Sequence, residues 1–339
     1  MIDPEPTIYS TVSSRFIADW LDALRPLCPD DHFRSLLERS DLPVDQHHGQ
    51  GRVTLDQIVR LYQLAAVETG DEMMGLWSRP IRPRALQHLL TSVREATSLS
   101  SALYRFSTFW NLLLDDYRVE LAETDGALAL QLVPRDTTPP RRFGHMLILK
   151  LAHGLMSWLA RHEVPVKAVE FAFDRPDFEE DYTIIFPAPV RFGRPVTSIS
   201  FDQDTLAPVR MRTAADLKLF LANAPRDWIF TRSSDHTQAL RVRHRLSTIG
   251  WQQSSLAETA KAMHMTPRTL IRRLEKNGTS FQAIKDGLRR DIAIRDLQAS
   301  RDSIEVIALT LGFASAASFH KAFQRWTGNT PSFYRRSHR

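Results

Sequence analysis

A pattern of two short amphipathic segments joined by a turn occurs twice in the last hundred residues, and it constrains the fold more than any other feature of the sequence. In the first copy, Leu256, Ala260 and Met263 lie at helical spacing. Thr266-Pro267 follows, and it is a favourable helix start because a hydroxyl caps the first turn and proline is tolerated at its first position. The sequence therefore predicts a helix-turn-helix unit over about residues 256–277.

The same arrangement returns towards the C-terminus. Ile307 and Leu311 lie on one face of a first helix, and Gly312 interrupts that helix. Ser315 is then placed to cap a second helix. This predicts a second helix-turn-helix unit over about residues 304–326.

A single long helix is predicted between the two units, over about residues 281–300. The apolar residues that recur there at helical spacing are Ile284, Leu288, Ile292 and Leu297. At the standard rise such a helix is ~30 Å long. One turn of B-DNA is ~34 Å, so this length suits a monomer whose two units enter successive major grooves.

Basic charge is concentrated in the part of the chain that contains both units. Residues 241–339 hold 18 Lys or Arg against 7 Asp or Glu, whereas the preceding residues hold 26 against 32. Such asymmetry is typical of proteins that bind nucleic acid. We therefore expect double-stranded DNA as the partner, bound by the segment from about Thr237 to Arg339.

The preceding residues show helical periodicity first and strand periodicity later. Helices are predicted over residues 14–26, 54–70, 99–113 and 142–162. Strands are predicted in a hairpin around Asp125-Gly126 and over residues 166–173, 182–186 and 198–201.

The predicted organisation is an α+β N-terminal domain followed by an all-α domain in which a long helix joins two helix-turn-helix units. The N-terminal domain is expected over residues 1–222 and the all-α domain over residues 238–339. Residues 223–237 are predicted to be a linker because the apolar pattern weakens there.

Several chemistries are disfavoured by the sequence. The single cysteine, Cys28, excludes an intrachain disulfide and a zinc site with several cysteines. The most apolar stretch, residues 144–160, is shorter than the ~20 residues of a membrane span. We expect a cytoplasmic protein without metal or other cofactor. The histidines weighed against a metal site, for which surface or hydrogen-bonded roles are expected, are His47-His48, His145, His153 and His162.

The second unit and the residues after it resemble the AraC/XylS family of transcription regulators. The residues that carry the resemblance are Ile307-Ala308, Leu311-Gly312-Phe313, Ser318-Phe319, Phe323, Trp326-Thr327-Gly328, Thr330-Pro331 and Tyr334-Arg335. The first unit is similar to the family through Leu256, Ala260, Met265 and residues 268–274.

The resemblance implies that the second helix of each unit enters a major groove of DNA. The candidates for contact with base edges are Arg268, Thr269, Arg272, Arg273, Ala317, His320 and Lys321. Arginine can bind guanine with two hydrogen bonds, whereas Ala317 offers contact with a thymine methyl group alone. We therefore expect the first unit to supply most of the sequence specificity.

Phosphate contacts are expected from a second set of residues. Thr266 and Ser315 lie at helix N-termini, where backbone amides suit a phosphate. Basic side chains outside the reading faces complete the set, and they are Arg325, Arg335 and Arg336.

The N-terminal part is similar, over diffuse motifs, to the arabinose-binding-type sensor domain of regulators of the ornithine-utilisation type. The motifs lie at residues 103–106, 112–116 and 186–193. The resemblance implies control by a small organic effector. The aromatic residues that are candidates for its pocket, each of which also suits an ordinary core, are Phe106, Phe109, Trp110, Trp158 and Phe171.

The expected function is that of a sequence-specific transcription regulator, an activator, controlled by a small organic effector and not an enzyme. RNA polymerase and a second copy of the chain are further expected partners. One alternative is an orphan regulator controlled by dimerisation alone. Another is an enzyme fused to helix-turn-helix units, and it is disfavoured because Cys28, followed by Pro29, does not match a catalytic nucleophile or a methyl acceptor.

Overall fold

A computed structural model describes residues 11–42, 52–124, 126–136, 141–186, 188–206, 208–209, 211–229, 238–249, 251, 254–276 and 279–336. They divide into two compact units. The N-terminal unit takes in Phe16–Ser40 and Ile58–Ser233. The C-terminal unit takes in the described residues of Ser234–Arg339, Met1–Arg15 and Asp41–Gln57. Two segments from the start of the sequence therefore pack with the C-terminal helices.

The strands in these residues are β1 (Thr11–Ser13), β2 (Arg52–Thr54), β3 (Tyr117–Thr124), β4 (Ala127–Pro134), β5 (Ala168–Glu170), β6 (Val190–Arg191) and β7 (Thr197–Asp202). The helices are α1 (Ala18–Leu24), α2 (Asp30–Arg39), α3 (Leu55–Glu68), α4 (Ala85–Arg94), α5 (Leu99–Leu113), α6 (Arg142–Ala160), α7 (Tyr182–Ile185), α8 (Ala214–Ala222), α9 (Arg226–Ile229), α10 (Gln238–Thr248), α11 (Leu256–Ala262), α12 (Pro267–Lys276), α13 (Phe281–Ala299), α14 (Ile304–Thr310), α15 (Ala316–Thr327) and α16 (Pro331–Arg336). Within the described ranges, no helix is both long and apolar enough to span a membrane.

A five-stranded sheet forms the β layer of the N-terminal unit, in the order β3-β4-β7-β5-β6. Neighbouring strands are antiparallel, except that β5 and β6 are parallel. The predicted hairpin is present, with Leu121 opposite Leu130. Gly126 has a φ of 73° in its turn, a conformation that glycine adopts without steric penalty, and Asp125 lies outside the described residues.

The helix α6 is the central helix of the N-terminal unit. It packs against α1, α4, α5 and α9 and against β7, and 16 of its 19 residues are buried. Its sequence is apolar on every face, as expected of a helix that is covered on all sides. Lys150 and His153, which interrupt the apolar stretch, are buried with it.

The sequence predicts a strand over residues 182–186, and this prediction is wrong. A short helix, α7, occupies Tyr182–Ile185. The Phe186 amide donates to the Tyr182 carbonyl at 2.8 Å, which is a helical hydrogen bond. Aromatic and β-branched composition favoured a strand, but burial of Tyr182, Ile185 and Phe186 at i, i+3 and i+4 requires a helix face.

Other strand predictions meet different outcomes. The strand predicted over residues 198–201 is confirmed as β7. The strand predicted over residues 166–173 is reduced to the three residues of β5. The first 116 residues contain β1 and β2 as well as the predicted helices, and these two short strands pair with each other.

The predicted linker, residues 223–237, begins with the helix α9. Trp228 in this helix is buried in the N-terminal unit. Residues 230–237 lie outside the described residues.

The C-terminal helices form two adjoining cores, and the predicted long helix, α13, contributes to both. The first core consists of Val242, Leu246, Ala260, Leu270, Leu274, Ile284 and Leu288. The second core consists of Ala293, Ile294, Leu297, Ile307, Ala308, Leu311, Phe319, Phe323 and Tyr334. The predicted fold class, an α+β region followed by helices that form two helix-turn-helix units, is therefore confirmed.

A close approach between α6 and α9 makes the core of the N-terminal unit sensitive to one methyl group. A Cβ at Gly154 would lie 2.4 Å from Trp228 Cβ and 2.6 Å from its Cα. We expect Gly154→Ala to lower the free energy of unfolding by about 1 to 3 kcal/mol, as overpacking does, measured by urea denaturation of the full chain. Gly144→Ala is the matched control on the same helix, because its nearest contact would be an ordinary 3.5 Å. Equal stability of the two variants would contradict the prediction.

Candidate DNA-binding surface

The first helix-turn-helix unit is formed by α11 and α12, and each helix is capped by a side chain. At the start of α11, the Ser255 hydroxyl accepts from the Glu258 amide, and the Glu258 carboxylate accepts from the Ser255 amide in return. At the start of α12, the Thr269 amide donates to Thr266 Oγ1 at 3.2 Å. His264 in the turn has a φ of 55°. The turn and both helix starts therefore follow from local sequence.

The residues of α12 separate into a buried face and a basic exposed face. Leu270 and Leu274 are fully buried in the first core. Arg268 and Arg272 are exposed, and because they lie four residues apart they share one face. Thr269 is half-buried, with its hydroxyl 2.9 Å from that of Thr266.

Arg273 is exposed but lies differently from the other two arginines of α12. Its guanidinium donates to the sulfur of Met265 at 3.4 Å, which draws it back towards the turn. Of the arginines predicted to read bases, Arg268 and Arg272 have the more outward placement.

The second unit repeats this geometry with α14 and α15. The Ser315 hydroxyl accepts from the Ser318 amide and caps α15, and Gly312 has a φ of 74° in the turn. Phe319 and Phe323 are fully buried in the second core. Counting from the first residue of each helix, they occupy the positions of Leu270 and Leu274.

This correspondence also pairs the exposed residues of the two helices. Ala317 occupies the position of Arg268, and Lys321 occupies the position of Arg272, and both are exposed. His320 is half-buried and occupies the position of Ile271. The exposed faces of α12 and α15 are therefore equivalent in geometry but differ in charge.

Ile271 was not among the residues predicted from the sequence, although it lies at the position of His320. Its side chain is 42% exposed on a strongly basic helix. An exposed aliphatic group there is suited to contact with a thymine methyl group. Its spacing, one residue after the buried Leu270, was the signal that could have identified it.

The residues predicted to contact phosphates differ in exposure and in their neighbours. Thr266 and Ser315 are exposed at their helix starts, and Arg336 is exposed. Arg325 is exposed and lies 3.5 Å from a carboxylate oxygen of Asp286, a surface pair of small energetic value.

Arg335 differs from Arg336 because it is half-buried. Its Nε and one terminal nitrogen are buried without a hydrogen-bond partner among the described residues. The nearby Glu305 carboxylate has a lowered pKa, first because backbone and Ser303 hydroxyl hydrogen bonds hold its charged form, and then because of the charges of His320 and Arg335. An acidic group therefore lies close to His320 on α15.

A cation-π clamp connects the two helix-turn-helix units. The Arg289 guanidinium on α13 lies 5.0 Å from the ring centroid of Trp251 and 4.9 Å from that of Phe313. It also donates to the Gly312 carbonyl at 3.3 Å. Trp251 packs against both cores, and Phe313 packs against the second. Arg289 therefore ties the turn of the second unit to the residues that precede the first.

The aromatic residues predicted to line an effector pocket do not converge on one space. On α5, Trp110 contacts both Phe106 and Phe109. Trp158 stacks on Phe220 instead, with ring centroids 4.9 Å apart. Phe171 belongs to a third cluster, formed with Phe173, Tyr182, Phe186 and Phe192.

One apolar cavity lies among α4, α6, α8 and α9. Its lining residues are Leu86, Leu89, Leu90, Leu151, Leu155, Phe220, Leu221, Ala224 and Trp228. The cavity volume is about 20 Å³, which is room for about one water molecule. Organic ligands occupy sites of roughly 300 to 1,000 Å³, so an effector would need this cavity to enlarge.

Polar side chains are buried on α6 as well. The His145 Nδ1 lies 2.7 Å from the Thr197 hydroxyl, and His153 Nε2 lies 2.9 Å from the Val164 carbonyl. Burial lowers the pKa of His145 to about 3 and that of Lys150 to about 8. The hydrogen-bonded role expected for these histidines is therefore observed. His47-His48 lies outside the described residues.

Comparison with known proteins identifies two matching families. Residues 32–208 match the "Arabinose-binding domain of AraC transcription regulator, N-term", and residues 259–337 match a "Helix-turn-helix domain". The first match spans more than half of the chain, and the second covers most of the C-terminal helices.

Similar proteins are named as transcription regulators. The chain is 24% identical to the Ornithine utilization regulator of Pseudomonas aeruginosa over 84% of this chain and 85% of that protein. It is 38% identical to the regulator VqsM of the same species over 29% of this chain and 30% of that protein. It is 31% identical to the Urease operon transcriptional activator of Escherichia coli over 32% of this chain and 36% of that protein.

Among solved structures, the transcriptional regulator CdpR from Pseudomonas aeruginosa is 21% identical, with a TM-score of 0.33. The match covers 95% of this chain and 97% of that chain.

Residues that contact bases can be distinguished from residues that contact phosphates, because the loss of affinity on mutation depends on the DNA sequence only for the first kind. We expect Arg272→Ala to cost ~1 to 3 kcal/mol on a duplex selected by the wild-type chain and much less on a scrambled duplex. Arg336→Ala is the control, for which a phosphate contact predicts similar losses on both duplexes and a salt slope reduced by ~1. Binding isotherms at several salt concentrations measure both quantities. Equal losses on both duplexes for Arg272→Ala would refute its assignment as a reading residue.

The clamp should set the spacing between the two DNA contacts. We expect Arg289→Ala to weaken binding to the selected duplex about fivefold, in the range of a cation-π contact, and to reduce discrimination against a duplex with one base pair inserted between the half-sites. Arg289→Lys keeps the charge but loses the planar stacking group. If Arg289→Lys restores both affinity and discrimination, charge rather than the clamp is responsible.

Proposed function

The chain belongs to the AraC family of DNA-binding transcription regulators with an arabinose-binding-type N-terminal domain, and we propose that it is a sequence-specific activator controlled by a small organic effector. Its matched relatives are regulators rather than enzymes, and so is this chain. We propose that the effector is held by residues of the predicted N-terminal domain, residues 1–222, and that residues 223–237 connect it to the DNA-binding helices, residues 238–339.

The equivalence of α12 and α15 is the observation that carries the DNA-binding part of this proposal. Each helix buries two large apolar residues four apart, and each exposes the positions two residues before them. Both helices start at a capped turn and are joined by α13. Two helices presented in the same way suit successive major grooves of one duplex.

The charge difference between the faces supports unequal readout. Arg268 and Arg272 in the first unit can each bind guanine through two hydrogen bonds. Ala317 and Lys321 in the second unit offer a methyl contact and a single point charge. We propose that the first unit selects bases, with Thr269, Ile271 and Arg273 as secondary contacts, and that the second unit mainly adds affinity.

Phosphate binding is proposed for the helix starts and the basic residues around the reading faces. The N-termini of α12 and α15, at Thr266 and Ser315, are exposed, and the partial positive charge of a helix N-terminus suits a phosphate. Two exposed arginines complete this set: Arg325, near the C-terminal end of α15, and Arg336, the last residue of α16. Arg335 is also proposed to contact a phosphate, but because it is half-buried we expect it to contribute less to DNA affinity.

Effector control and activation are proposed on the strength of the relatives. The relative that matches most of the chain is named for the use of ornithine, and another is named as an activator of the urease operon. Activation implies contact with RNA polymerase at the promoter, which we include in the proposal. Control by formation of a homodimer is the second candidate.

A screen of small metabolites by thermal denaturation of the full chain distinguishes the two candidates. We expect one class of compound to stabilise the chain by about 2.7 kcal/mol at a hundredfold excess over its dissociation constant. By linkage, the same compound should change the affinity for the selected duplex, and the duplex should change the affinity for the compound by the same factor. If no compound shifts the melting temperature while that temperature depends on protein concentration, control by dimerisation is the better account.

A further inference from the structure

The C-terminal unit contains a two-stranded ribbon from the start of the sequence. β1 and β2 pair antiparallel, with Val12 opposite Val53 and Ser13 opposite Arg52. Val12 and Val53 are fully buried. Three residues in each strand are too few to be stable alone in water, so the order of the ribbon depends on what it packs against.

The ribbon is bonded to α13 and α16 of the C-terminal unit. The Thr11 hydroxyl lies 2.5 Å from the Asp291 carboxylate on α13. The Arg52 amide donates to the Tyr334 hydroxyl on α16 at 2.9 Å. The Arg52 side chain donates to Thr11 Oγ1 at 3.1 Å and to the Thr11 carbonyl, which joins the strands at the point of contact.

Asp291 is the centre of this contact and is fully buried. A guanidinium nitrogen of Arg243 on α10 lies 2.5 Å from one of its carboxylate oxygens, and Arg290 Nε lies 3.1 Å from the other. Burial alone would raise the pKa of Asp291, but the charges of Arg290, Arg243 and Arg52, and the Thr11 hydrogen bond, lower it below its ordinary value. The carboxylate is therefore held in its charged form by groups from both ends of the chain.

Asp291 lies at the point of α13 where the two cores adjoin. It lies on α13 between the residues that enter the first core, such as Leu288, and those that enter the second, such as Ile294. Arg243 and Tyr334 lie on α10 and α16, which pack against α13 in the same region. The ribbon thus covers the joint between the two helix-turn-helix units.

Both strands continue along the chain into the N-terminal unit. That unit begins at Phe16, three residues after β1 ends, and it is entered again at Ile58, four residues after β2 ends. Each residue spans at most ~3.6 Å, so connections of this length are short. A displacement of Phe16 or Ile58 is therefore passed on to the strand that precedes it.

We propose that the ribbon β1–β2 is the docking element through which the N-terminal unit controls DNA binding. Docked on Asp291 and Tyr334, it excludes water from the ion pair that fixes α10 on α13 and bonds to the hydroxyl that α16 presents beside it, and so holds the two reading helices in their binding arrangement. Undocking weakens these pairs and lowers the affinity for DNA. This inference rests on the proposed function in that the C-terminal unit must bind DNA.

Two conservative variants of the full chain test the docking. Thr11→Val removes the hydroxyl that contacts Asp291 at nearly constant volume, and Tyr334→Phe removes the acceptor of the Arg52 amide while keeping the ring in the core. Hydrogen exchange followed by mass spectrometry should show at least tenfold faster exchange in peptides covering residues 285–297. Thr91→Val is the matched control, since its exposed hydroxyl bonds only to the Gln87 carbonyl among the described residues.

The same proteins are then tested for binding to the duplex selected by the wild-type chain. We expect Thr11→Val and Tyr334→Phe each to lower affinity at least fivefold, with Thr91→Val unchanged. In return, saturating the wild-type chain with this duplex should slow exchange in peptides covering residues 11–15 and 52–57. The double variant should lose less than the product of the single effects, because both hydroxyl groups act through one docked element.

The possible outcomes separate the docking from the proposed function. Faster exchange with unchanged DNA affinity would reduce the ribbon to a structural element and overturn the proposal, as would unchanged exchange in both variants. Protection that depends on protein concentration would assign the ribbon to a second copy and overturn control within one chain. If the wild-type chain binds no duplex at low salt, the proposed function fails with it, while the exchange data still report whether the ribbon is docked.

Discussion

The double burial of α13 is the constraint on which the C-terminal unit depends. Ile284 and Leu288 fill the first core, and Ile294 and Leu297 fill the second. Neither helix-turn-helix unit buries its apolar face without this helix, so the separation of α12 and α15 is set by a rigid rod rather than by a flexible connection. Two further contacts involve side chains of α13. Arg289 stacks on the rings of Trp251 and Phe313, and the buried carboxylate of Asp291 bonds to Thr11 of the ribbon.

Buried ionisable groups are charged in the C-terminal unit, whereas burial in the N-terminal unit disfavours the charged form. Asp291 is surrounded by arginines and remains charged, since separating it from them would leave an uncompensated ion in the interior. His145 and Lys150 in the N-terminal unit have their pKa lowered by burial, which favours their neutral forms.

The exposed faces of α12 and α15 follow from a simple rule of helix geometry. Once Leu270 and Leu274, or Phe319 and Phe323, are buried, the exposed positions of each helix are decided by the 3.6-residue period. The family resemblance supplied Arg268, Arg272, Ala317 and Lys321 as candidates, and the helix period agrees with it, because all four are exposed. The distinction between Arg335 and Arg336 could not be predicted from the sequence, because adjacent residues differ in burial according to how α16 packs on α13.

The sequence by itself determined the elements that close over three or four residues. Helix caps such as Ser255, Thr266 and Ser315, the glycine turns and the β3–β4 hairpin all depend on neighbours close in the chain, and their signals are local. Tertiary structure alone decided the helical state of Tyr182–Ile185, the separation of the predicted pocket aromatics and the union of β1 and β2 with the DNA-binding helices. The Thr11 and Asp291 side chains meet across 280 residues. No local pattern marks such a contact, because its partners, Thr11 and the arginines around Asp291, meet the carboxylate only when distant parts of the chain have come together.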